Sequence, residues 1–199
     1  LLTQIDHSMA KNTKEFDYKK NVTALGFLCG RSHFTSFNEM RECLIAANSS
    51  KGVVSDGILS IFRFCGKFSC TDSQVKEVLA QVDFLLKANP GFKNDNDDLD
   101  VFHGACCHLE GKVGVAILSL FLTEYTDGVG AGLRLRNEVG RLPIHIAALY
   151  STMDVVQLLL EAYPESWDET SRYGSNLLHY ALLDPRQDRV LVNCKGQYL

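Results

Sequence analysis

The sequence predicts an all-α fold, a solenoid of stacked helix–turn–helix units, and three observations carry the prediction. A short frame built around a histidine place returns along the chain, at positions 26, 62, 103, 145 and 179. The successive spacings are 36, 41, 42 and 34 residues, and recurrence at roughly 20–50 residues marks repeat architectures. Each of the first four frames leads into a second helical segment, and in the fourth Val155, Val156, Leu158, Leu159 and Leu160 give it the broad apolar face of a packed helix. Finally, 46% of the 199 residues are hydrophobic and 22% charged. That balance is foldable and excludes wholesale disorder.

In chain order, residues 1–20 are expected to be the remnant of a preceding repeat or a mobile end. The array is expected over residues 21–199, as about five repeats with the last truncated. The first frame is Thr23-Ala24-Leu25-Gly26-Phe27-Leu28-Cys29, and it leads to Met40–Asn48. The second is Gly57–Cys65, with Phe62 at the histidine place and a second helix ending at Lys87-Ala88-Asn89-Pro90. Both are degenerate. The third is Asp100-Val101-Phe102-His103-Gly104-Ala105-Cys106, followed by Ile117–Tyr125. The fourth is Gly140-Arg141-Leu142-Pro143-Ile144-His145-Ile146-Ala147-Ala148, followed by Asp154–Pro164. Pro143 suits a first helical turn, where its missing N–H would have no partner. The fifth is Gly174-Ser175-Asn176-Leu177-Leu178-His179-Tyr180-Ala181. From histidine place to helix end the counts are 22, 27, 22 and 18, so the longer repeats carry inserts.

The fourth unit resembles an ankyrin repeat: a Gly, a Thr-Pro-Leu-His-like start, paired alanines, a turn, an acidic residue, two β-branched residues and a Leu-rich helix. The resemblance extends over roughly residues 21–199. No repeat carries the full Thr-Pro-Leu-His. Asp100 and Asn176 can cap a helix start, whereas Leu142 and Leu59 cannot. Local stability is therefore expected to be uneven, and lowest in the two N-terminal repeats.

Several chemical motifs fail on inspection. His103-Gly104-Ala105-Cys106-Cys107-His108 has zinc-ligand residue types, but a helix puts only His103 and Cys107 on one face. Gly128-Val129-Gly130-Ala131-Gly132-Leu133 lacks the sixth-place Gly of a dinucleotide fingerprint and follows a Leu-rich helix. It reads as an insert between repeats, with glycines supplying positive φ angles. The acidic stretch Asn94–Asp100 has Asp100 and Cys106 where a calcium loop counted from Asp95 needs Gly and Glu. There is no Gly-x-Ser-x-Gly elbow and no phosphate-binding Gly-Lys-Ser/Thr. The chain is read as not an enzyme, with no cofactor and no metal.

Seven cysteines at irregular spacing, without a Cys-x-x-Cys pair, read as mostly buried thiols in a reducing compartment. The expected location is the cytoplasm, with the nucleus as the alternative. The sequons at Asn21 and Asn48 matter only in a secreted chain. The chain begins with Leu1 rather than Met, as a processed chain or a fragment would, and no secretory signal is visible. Net charge is -4, so nucleic acid is not an expected partner. The longest apolar run, Val115–Leu122, is far too short to span a bilayer.

The resemblance implies a protein–protein interaction module that holds a partner with its hairpin tips and first helices, on a concave face. The implied contact residues are Glu138, Val139, Arg141, Leu149, Tyr150, Arg172, Tyr173, Ser175, Leu183 and Asp184, in a monomer with one unidentified protein partner and no membrane contact. A second reading makes the array a regulatory or positioning segment of a larger multidomain protein such as an enzyme. A third, metal binding by His103, Cys106 and Cys107, needs donors from another repeat.

Overall fold

The computed structural model of the chain describes residues 24–29, 37–46, 48, 50–66, 70–88, 99–124 and 132–182. Leu1–Lys20, Thr23, Tyr125, Asp95–Asp98, Gly128–Gly130, Leu183, Asp184 and Cys194 lie outside the described residues. The chain divides into two compact units, Leu1–Phe92 and Lys93–Leu199. Among the described residues all regular structure is helical.

The first unit holds α1 (Ala24–Cys29), α2 (Phe37–Ala46), α3 (Lys51–Cys65) and α4 (Asp72–Lys87). Helix α1 packs against α2 and α3, and α3 against α4. Two helical pairs therefore share one core, as a repeat that cannot bury its own apolar face must do. Leu25 and Cys29 of α1 and Met40 and Leu44 of α2, each pair four apart, are buried and mark the inward stripe of each helix. From α3 come Val54, Ile58, Ile61 and Phe62, and from α4 Val78, Val82 and Leu85. A reciprocal cap starts α4: the Gln74 N–H donates to Thr71 Oγ1 (3.4 Å) and the Thr71 N–H to Gln74 Oε1 (2.8 Å).

The second frame needs one correction. Gly57 aligns in sequence with the turn residue Gly140, but it lies within α3, which starts at Lys51. Its role is close packing: a Cβ there would stand 2.9 Å from Leu25 Cδ2. Leu59 is likewise inside the helix, so it has no cap to make. A helical glycine costs up to about 1 kcal/mol against alanine, and here it lets α1 approach α3.

The second unit holds α5 (Leu99–His108), α6 (Gly111–Glu124), α7 (Pro143–Tyr150), α8 (Met153–Ala162) and α9 (Leu177–Leu182). Short 3-10 turns lie at Gly132–Arg134 and Pro164–Trp167. Helices α5, α7 and α9 pack in succession, α6 packs on α8, and α5–α6 and α7–α8 are pairs in contact. First helices stack on first helices and second on second. Ala147 and Ala148 are both buried in the α7 contact, and their size permits close approach. Val155, Val156, Leu159 and Leu160 form the inward stripe of α8. Asp100 lies within α5 rather than ahead of it. Gly132 does not have a positive φ, contrary to the expectation for the glycine-rich insert. It is small because a Cβ would meet the Phe102 ring at 2.3 Å.

Candidate protein-interaction surface

Two tight turns are built alike, 34 residues apart. In the first, Asn137 accepts on its side-chain Oδ1 from the N–H groups of Val139 (3.2 Å) and Arg141 (2.9 Å). Its carbonyl accepts from Gly140 N–H at 2.8 Å, and its N–H donates to the Arg141 carbonyl at 3.0 Å. In the second, Ser171 takes the place of Asn137. Its Oγ accepts from Tyr173 N–H (3.4 Å), its carbonyl from Gly174 N–H (3.0 Å), and its N–H donates to the Ser175 carbonyl (2.9 Å). Gly140 and Gly174 close the turns at φ 75° and 73°, the left-handed conformation that only glycine adopts without strain. The Arg172 N–H donates to the Val139 carbonyl at 3.2 Å and ties one turn to the next.

Behind the turns the units are latched by polar groups. His145 is fully buried. Its Nδ1 accepts from the Leu142 N–H (3.1 Å), which fixes the tautomer, so Nε2–H donates to the Glu169 carbonyl (3.1 Å). The histidine thus supplies the helix start with the partner that Leu142 cannot. Burial chiefly holds the imidazole below its ordinary value of 6.5, opposed by the bond to Glu169 and assisted by the nearby Arg136 charge. His103 Nε2 meets the Arg141 carbonyl at 2.9 Å in the next repeat. At α9, Asn176 Oδ1 accepts from the His179 N–H (3.2 Å) while His179 Nδ1 accepts from the Asn176 N–H (3.3 Å). This is the expected Asn176 cap. The inter-helix loops are tied too: Ser151 Oγ donates to the Leu109 carbonyl (2.7 Å), and the Gly111 N–H to Thr152 Oγ1 (2.9 Å).

The expected contact residues divide by environment. Glu138, Arg172 and Tyr173 are exposed on the two turns, Tyr173 to 75%. Tyr150, at the end of α7, is 47% exposed. Val139, Leu149 and Ser175 are half-buried. Arg141 is engaged internally: Nε donates to the Tyr180 hydroxyl at 3.1 Å, and the guanidinium lies 5.0 Å from the centre of that ring. Its neighbour Tyr180 donates to Ser171 Oγ at 2.9 Å.

From the sequence Arg136 reads only as part of a small basic spot with Arg134, and Asn137, Glu169 and Ser171 carry no mark of their own. Arg136 Nη1 donates to the carbonyls of Gly140 (2.8 Å) and Thr170 (2.7 Å), and Nη2 pairs with the Glu169 carboxylate. The other Glu169 oxygen accepts from the Tyr163 hydroxyl at 3.2 Å. The signal was present as Asn137-x-x-Gly140 and Ser171-x-x-Gly174, a side-chain acceptor three residues before a glycine, repeated in frame.

Among the described residues no group of three or more His, Cys, Asp or Glu is placed to hold an ion. The six described cysteines are thiols. Cys29, Cys65 and Cys106 are buried, while Cys43, Cys70 and Cys107 are half-buried. Burial pushes the Cys29 thiol up to about 12 and also raises Cys106. No described helix is long and apolar enough to cross a membrane.

Stacked helical pairs latched through buried histidines, with glycine-closed turns at a 34-residue interval, define a helical-repeat protein. Residues 131–181 match the family model for ankyrin repeats, which occur in many copies. That stretch is similar to ankyrin repeats, and the described residues have the all-α architecture of stacked helical repeats. No curated protein and no solved structure matches the chain significantly.

Proposed function

We propose that the chain is a protein-binding module whose partner contacts the hairpin turns 137–141 and 171–175 and the exposed end of α7. The observation that carries this reading is the pair of equivalent turns presenting Glu138, Arg172 and Tyr173 to solvent. Their backbones are fixed by side-chain acceptors and by each other, so little ordering remains for binding to oppose. Tyr and Arg are the residue types that most often dominate interface energetics. Tyr150, Arg172 and Tyr173 make the direct contacts. Val139, Leu149 and Ser175 frame them. Arg141 supports the turn through Tyr180. The repeat array runs over residues 21–199 and works as a non-catalytic monomer in the cytoplasm.

The test is affinity capture from a cell extract by the parent chain and by a variant carrying Tyr150→Ala, Arg172→Ala and Tyr173→Ala. Arg141 is left intact so that the turn survives. Proteins held by the parent and lost by the folded variant support the proposed contacts. The same proteins held equally by both reject them.

A further inference from the structure

Two thiols in the first unit sit where the chain turns from one helix to the next. Cys65 is the last residue of α3, and Cys70 directly precedes Thr71, the N-cap of α4. Because α3 packs against α4, the end of one helix and the start of the other are held together. The two side chains are hydrogen-bonded to each other. Cys65 is buried and Cys70 half-buried, so one sulfur faces the core and the other is reachable from solvent. The reciprocal cap between Thr71 and Gln74 fixes the backbone immediately after Cys70, which limits how far that thiol can swing away.

We infer that Cys65 and Cys70 are a redox-responsive staple, which a low-molecular-weight disulfide such as oxidised glutathione closes across the turn between α3 and α4. The Cys70 thiol gives up its proton to solvent and its sulfur attacks one sulfur of oxidised glutathione, releasing a glutathione thiolate. The Cys65 thiol then loses its proton and attacks Cys70 Sγ, releasing the second glutathione thiolate. Two protein thiols become one disulfide, and one glutathione disulfide becomes two glutathione thiols once the two released protons are taken up. Burial raises both thiols, Cys65 up to about 12, so both steps are slow at neutral pH and quicken as pH rises. The bond constrains a turn in a repeat that departs from the family pattern, and oxidation thereby slows opening of the first turn of α4.

The experiment equilibrates the folded chain with oxidised and reduced glutathione, traps remaining thiols by alkylation, and digests with trypsin without reduction. Lys67 lies between the two cysteines, so a staple joins two peptides, Phe64–Lys67 and Phe68–Lys76, that reduction separates. The expected result is that joined pair, absent from Cys70→Ser and from Cys65→Ala. In guanidinium chloride the same equilibrium should favour the bond at least about tenfold less, a difference of about 30 mV for a two-electron couple. Recovery of the two peptides separately from the oxidised folded parent, as alkylated thiols or glutathione adducts, overturns the inference. So does an equal equilibrium in folded and unfolded chain, since the fold would then not position the pair. A dominant bond between Cys29 and Cys43, or between chains, overturns it as well.

Discussion

Replacing His145 by alanine separates a structural histidine from a decorative one. The side chain serves two groups, the Leu142 N–H and the Glu169 carbonyl, at 3.1 Å each. The first lies in a buried setting and the second in a part-buried one. A buried polar group left without a partner costs about 1–3 kcal/mol. The part-buried carbonyl can recruit water and falls near the lower limit. The ring also packs on Tyr180, with centres 5.1 Å apart, and its removal leaves a void. The expected loss is about 2–4 kcal/mol, a large share of a stability of about 5–15 kcal/mol. His179 is the internal control, since it holds the same frame position 34 residues later but is exposed. Its single backbone contact lies in water, so His179→Ala should cost no more than about 1 kcal/mol. Urea unfolding of the parent and both variants reads the difference as a shift in midpoint at unchanged slope. Equal midpoints for the two variants would refute the argument that burial decides the role of the repeat histidine.

Three further expectations follow from the same geometry. The unfolded chain binds a proton at His145 with the ordinary value of 6.5, and the folded chain binds it only at lower pH; stability should therefore be full above 6.5 and fall as pH drops below it, and urea titrations at stepped pH should show that slope reduced in His145→Ala. Gly140→Ala meets both a φ of 75° and a Cβ placed 2.7 Å from Arg172 Cγ and 2.9 Å from Arg172 N, whereas Gly174→Ala has φ 73° but open space. Thermal melts should show the second costing about 1–2 kcal/mol and the first clearly more. Arg136→Ala removes bonds to Gly140, Thr170 and Glu169, but the site is more than a third exposed; solvent screening limits the cost to about 1 kcal/mol, and added salt should shrink the gap from the parent.

The fold class was legible because the repeat frame combines two independent signals. The 34-residue interval from His145 to His179 fixed the register of the last two repeats, and of the apolar face expected from Val155, Val156, Leu158, Leu159 and Leu160 all but the half-buried Leu158 are buried in α8. The register failed at Gly57, because sequence alone does not distinguish a glycine needed for φ from one needed for close approach. The candidate surface was legible in part. The frame pointed to Tyr150, Arg172 and Tyr173, and all three are exposed. It could not foresee that Arg141 is engaged by Tyr180, 39 residues away, since that pairing depends on how the turns stack. The latch from Arg136 to Glu169 was missed for the same reason.

The central claim is that the turns, rather than the second helices, meet a partner. Hydrogen exchange on the chain alone and with a captured protein bound tests it directly. The account predicts slowed exchange at 137–141 and 171–175 and at the end of α7, with α8 unchanged. Slowed exchange around Asp154, Gln157 and Glu161, the exposed side of α8, with the two turns unaffected, would contradict it.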